Sequence, residues 1–78
     1  MTVEIKSNEN SVYLAKVDSE GIVSVTAKKI ANGLIEITYI GKGVIRVVKS
    51  GSLLAVRMIS GLTGIEYTKV NEALQGVA

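Results

Sequence analysis

The side chains able to do chemistry in this 78-residue chain are carboxylates, amines and hydroxyls; histidine and cysteine are both absent. Nucleophilic catalysis needs a base in reach of the nucleophile, or a thiol or amine of lowered pKa. The serine–lysine neighbours are Lys6-Ser7 and Lys49-Ser50. Adjacent residues of a strand point to opposite faces, so neither pair is expected to meet. Paired carboxylates would serve general acid–base or glycosidic chemistry. Asp18 and Glu20 share one expected turn, and Glu66 and Glu72 fall on different faces of an expected helix, so both pairs read as solubilising charge. Oxygen-ligand metal sites need several converging carboxylates, and Asn8-Glu9-Asn10 and Asp18-Ser19-Glu20 are too thin for one. The glycines of Gly41-Lys42-Gly43 and of residues 51–61 match no phosphate-binding or dinucleotide pattern. The expectation is a non-enzyme with no catalytic residue, metal, cofactor or small-molecule substrate.

The elements that would carry these groups are short. Glycines at 21, 33, 43, 51 and 61 punctuate runs rich in valine and isoleucine. Turn signals at that spacing between alternating segments mark an antiparallel meander. The strands are placed at about 2–7, 11–18, 22–29, 34–40, 44–49 and 53–59. Thr63-Gly64-Ile65-Glu66 has the form of a capping box. Tyr67, Val70, Leu74 and Val77 then recur at helical spacing, with Gly76 near the end. The reading is one mainly β domain over residues 1–78. It is a five- or six-stranded antiparallel meander, as a small sheet or barrel, with one C-terminal α-helix at about 64–75. For residues 53–60 a short helix capped by Ser52 and stopped by Gly61 competes with the strand; the glycine rhythm favours the strand.

Register can be tested by arithmetic. A three-residue loop at Ala31-Asn32-Gly33 sets Val25 against Tyr39 and Ala27 against Ile37 on one face. The other face then pairs Thr26 with Thr38 and Lys28 with Glu36, an opposite-charge pair. A Gly41-Lys42-Gly43 loop pairs Tyr39 with Ile45 and Ile37 with Val47. A tight Ser50-Gly51 turn continues the same face with Val47 against Leu54 and Ile45 against Val56. The remaining face of the last two strands would then hold Val44, Arg46, Val48, Leu53, Ala55 and Arg57, with Arg46 and Arg57 diagonal neighbours and Glu36 diagonal to Arg46.

That face is half apolar, and a chain this small can cover only one side of a sheet well. The apolar fraction is 47% and the mean hydropathy +0.38, high for a free-standing domain of average composition. Chains near this size usually gain stability from disulfides, a metal or self-association. With cysteine and histidine absent, self-association is the expected supplement. The sequence therefore reads as a structural or assembly protein, a homo-oligomer or a subunit docked on a larger assembly. Its docking face would be Val44, Arg46, Val48, Leu53, Ala55 and Arg57. On that reading Val48→Asp dissociates the assembly and leaves the subunit folded. The composition also fits small auxiliary subunits of shells, such as a virion component.

Charge supports a second reading. The net charge is +2, but residues 21–58 hold six basic side chains against Glu36 alone, while both flanks are acidic. Lys28, Lys29, Lys42, Arg46, Lys49 and Arg57 would then be the phosphate contacts of a small nucleic-acid-binding β-domain. Single-strand binders usually add aromatic platforms. Tyr39 and Tyr67 are expected on apolar faces, which leaves Tyr13, whose face depends on the turn at 18–21. An exposed edge strand could also take a peptide. No apolar run reaches the roughly 18 residues of a membrane-spanning helix, and the N-terminus carries no signal-peptide pattern. The expected location is the cytoplasm, or a particle assembled there, with no membrane partner.

Overall fold

The computed structural model describes residues 2–77, the side chain of Val44 excepted. Five strands run in chain order across one open antiparallel sheet: β1 (Thr2–Ser7), β2 (Ser11–Asp18), β3 (Gly21–Ala31), β4 (Leu34–Ile40) and β5 (Val44–Lys49). Two helices follow, α1 (Leu53–Thr63) and α2 (Tyr67–Gln75). The mainly β meander is as expected. The sheet is not closed into a barrel, and the C-terminal part holds two helices where one was expected.

Each hairpin is set by local chemistry. Between β2 and β3, Asp18 pairs with Gly21, and the Asp18 carboxylate accepts a hydrogen bond from the Glu20 N–H at 2.8 Å. Such an Asx turn closes a two-residue loop. Between β3 and β4, the register shifts by one residue between Lys29 and Ala31, and Gly33 sits in the left-handed region at φ 77°. This is the extra residue of a bulged loop. The pairs Val25–Tyr39, Thr26–Thr38, Ala27–Ile37 and Lys28–Glu36 all form as the three-residue loop requires.

The β4–β5 hairpin differs from expectation by one residue. Tyr39 pairs with Val44, Ile37 with Arg46 and Ile35 with Val48. Four residues, Ile40 to Gly43, make the connection, with Gly41 and Gly43 both at positive φ. The expected three-residue loop used one residue fewer. Because side chains alternate, a slip of one flips the whole strand to the other face. Val48 therefore points into the core at 8% exposure. Ile45 and Val47, expected inside, lie on the opposite face.

Residues 53–59 are helix rather than a sixth strand. Ser52, at φ −83° and ψ 150°, is the N-cap: its hydroxyl accepts from the Ala55 N–H at 3.3 Å and donates to the Lys49 carbonyl at 2.7 Å. The helix passes through Gly61 and ends at Gly64, left-handed at φ 76°, whose N–H donates to the Ser60 carbonyl. Helical winding gathers Ala55, Val56, Ile59 and Thr63 on one buried face. A single helix of nine residues is only about 13 Å long. Alone it could not cover five strands. Residues 53–63 supply the missing cover, which is why the β-compatible pattern of LLAVRMIS gives way.

The expected capping box at Thr63 does not form. The Thr63 hydroxyl donates to the Ile59 carbonyl and accepts from the Ile65 N–H, so it belongs to the end of α1. Ser60 adds a bond to the Ile65 carbonyl. These bonds hold the tight link between the helices, and α2 begins at Tyr67 after Glu66. Val70, Leu74 and Val77 are buried as the stripe requires, whereas Tyr67 is exposed.

One face of the sheet packs under the helices. Its core unites Val12, Leu14, Val25, Ala27, Ile35, Ile37 and Val48 with Ala55, Val56, Ile59, Ile65, Val70, Leu74 and Val77. The other face carries no covering element among the described residues.

Candidate interaction surface

Directly paired residues share a face, so the open face can be read as rows crossing the strands. One row is Glu4, Ala15, Ser24 and Ile40. The next is Lys6, Tyr13, Thr26, Thr38 and Ile45. Outside the first lie Thr2, Val17 and Ile22; outside the second lie Ser11, Lys28, Glu36 and Val47. Ile22, Ile40, Ile45 and Val47 are 67%, 45%, 52% and 53% exposed. They follow one another diagonally across β3, β4 and β5, a continuous aliphatic band rather than scattered single residues. Ala15 and Ser24 are buried on this same face, recessed among their larger neighbours.

The docking face expected from the sequence is not brought together. Val48 and Ala55 are in the core. Leu53 and Arg57 are exposed on α1, and Arg46 is exposed on the helix side of β5. The side chain of Val44 lies outside the described residues. Arg46 and Glu36 occupy opposite faces, because Glu36 pairs with Val47. Two errors disperse the set: the one-residue slip of β5, and the helix at 53–63. With Val48 in the core, Val48→Asp is now expected to unfold the subunit. The residues missed are Ile22, Ile40, Ile45 and Val47. The signal for Ile45 and Val47 was the pair of glycines flanking Lys42, which permits the longer loop; Ile40 follows from the Val25–Tyr39 register and Ile22 from the short turn at Asp18–Gly21.

The six basic residues also divide. Lys28 and Lys49 belong to the open face, with Glu36 directly beside Lys28; Lys29 and Arg46 follow the helix-side register; Lys42 is in the β4–β5 loop and Arg57 on α1. Tyr13 sits on the open face, half-buried.

Among the described residues no three of His, Cys, Asp or Glu are grouped to hold a metal, and no helix is long and apolar enough to cross a membrane. Lys6 and Ser7 occupy opposite faces of β1. The Lys6 ammonium instead lies 3.8 Å from the Glu4 carboxylate. An open cleft between the start of α1 and the end of α2 is lined by Gly51, Ser52, Val56, Asn71, Leu74 and Gln75. It has no titratable group in its wall. No family model, no curated protein and no solved structure matches the chain.

Proposed function

We propose that this protein is a non-enzymatic assembly subunit that associates with copies of itself through the open face of its sheet. The observation that carries this reading is the band of Ile22, Ile40, Ile45 and Val47, each close to half exposed or more on one uncovered face. Contiguous aliphatic surface of this kind marks an association site, whereas single exposed apolar residues do not. The edges of the sheet favour face over edge as the contact. β1 carries Glu4 and Lys6, and β5 carries Arg46 and Lys49. Charges on edge strands oppose edge-to-edge pairing.

The test is solution mass by light scattering at low and high salt, with absorbance at 260 nm recorded. The expected result is a defined oligomer that survives high salt, since aliphatic burial is not screened. The variant carrying Ile45→Glu and Val47→Glu is expected to run as a monomer with the thermal midpoint of the dilute, dissociated wild type, because both side chains already face solvent in the single chain. A wild-type monomer that carries nucleic acid and loses it in salt would replace this reading with the basic-residue one.

A further inference from the structure

The rows of the open face are complementary to themselves, and this points to a particular partner geometry. Consider a two-fold axis lying between two facing sheets, perpendicular to the strands and passing between the two central rows. It carries each strand onto the same strand of the copy and exchanges the rows. Glu4 then stands over Lys6 of the second copy, and Lys6 over Glu4. Tyr13 stands over Ala15 and Ile40 over Thr38, while Ile45 lies against the β4–β5 connection of the copy. Ser24 meets Thr26.

The exchanges within β1 to β4 match opposite charges, a large side chain with a small one, or two small hydroxyl residues, while Val47 lies at the rim, past the strands of the facing copy. Ala15 and Ser24 are the buried floor of the face, and the tyrosine of the facing copy would project onto that floor. Outside these rows Ile22 meets the methylene stem of Lys28, which can cover apolar surface while its ammonium stays in water. An axis through the middle of either row would instead set Glu4 against Glu4 or Lys6 against Lys6.

We infer that the partner of the open face is a second copy of this chain, joined sheet to sheet about the two-fold axis between the Glu4–Ile40 and Lys6–Ile45 rows. This rests on the self-association proposed above and adds its register and its number, two. About this axis the strands of the two copies overlap most fully at β1, β2 and β3, a footprint of roughly 400 Å² per copy from strand spacing and rise. The pair would bury about 800 Å², the size of a weak, readily exchanging dimer rather than a permanent one. Sheets packed face to face cross at about 30°, an offset that the long side chains of Glu4 and Lys6 can span at the rim.

Charge reversal tests the register. Glu4→Lys places lysine over lysine twice, and Lys6→Glu places glutamate over glutamate twice. Each variant alone is expected to dimerise about tenfold more weakly at low salt, the scale of two exposed ion pairs lost. An equimolar mixture restores opposite charges at all contacts, so native mass spectrometry should show the mixed dimer in excess over both homodimers. Glu72→Lys, an exposed change on α2, should leave dimerisation unaltered, and thermal melts of the three variants should match the wild type at a concentration low enough for all four chains to be monomeric. Equal amounts of all dimers in the mixture, or no weakening by either variant, would overturn the register. If the wild type keeps a salt-resistant mass in that case, self-association stands and only this geometry falls. A wild-type monomer sinks both.

Discussion

Two residues one position apart on β5, Val47 and Val48, have opposite fates. Val48 faces Ile35 beneath the helices, and Val47 faces solvent beside Glu36. Val48→Asp would place a carboxylate in a core built of aliphatic side chains. A chain this size has a total stability of roughly 4–12 kcal/mol, and a buried unpaired charge is expected to remove about 3 kcal/mol or more of it. Urea denaturation should show the Val48→Asp midpoint collapse, with the Val47→Glu midpoint close to wild type. The reverse result would show that β5 follows the register that the three-residue loop predicts. Arg46 shows the same alternation: it shares the helix side of β5 with Val48 but lies far enough from the covering helices to remain exposed, its guanidinium donating to the Ile45 carbonyl.

At the scale of elements, termini and links are held by single side chains. Ser52 satisfies one α1 N–H and ties the cap back to β5. Ser52→Ala should therefore cost about 1 kcal/mol, read as a shift in urea midpoint. Gly64 takes the left-handed backbone that ends α1, and a Cβ there would come within 2.9 Å of the Lys16 ammonium. The lysine tip can move, so backbone strain dominates, and Gly64→Ala should cost about 1–2 kcal/mol. Adding Lys16→Ala to Gly64→Ala should recover little. The strands, the bulged Ala31–Gly33 loop and the Val70–Leu74–Val77 stripe were legible because turn chemistry and periodicity agreed there. Residues 53–59 were not. Seven residues, six of them apolar around Arg57, fit either period, and the choice belonged to the uncovered sheet that needed a lid.

For the molecule as a whole, helices on one side leave a two-layer unit with half of its sheet in water. β1 is packed almost entirely on β2 and has no buried residue among those described. It is the element whose stability depends most on a facing partner. If copies associate through the open face, folding and association are linked by mass action. The thermal midpoint of the wild type should then rise by a few degrees over a hundredfold increase in protein concentration, while that of the Ile45→Glu, Val47→Glu variant stays constant. Amide exchange in β1 should slow over the same range. A concentration-independent midpoint for the wild type would argue against the assembly reading.

The sequence by itself determined the class of the protein, because β-branched runs between glycines carry their own period and the turn residues carry their own geometry. It also determined the excess of aliphatic surface, since composition does not depend on register. Which aliphatic residues remain outside was a tertiary decision. Loop length between Tyr39 and Val44 differs by one residue between two acceptable hairpins, and the sequence of either strand fits both. The energy that separates them comes from what the helices bury: Val48 against Ile35 with α1 above the sheet. That contact exists only once residues 53–63 have wound into a helix and returned to the strands that precede them.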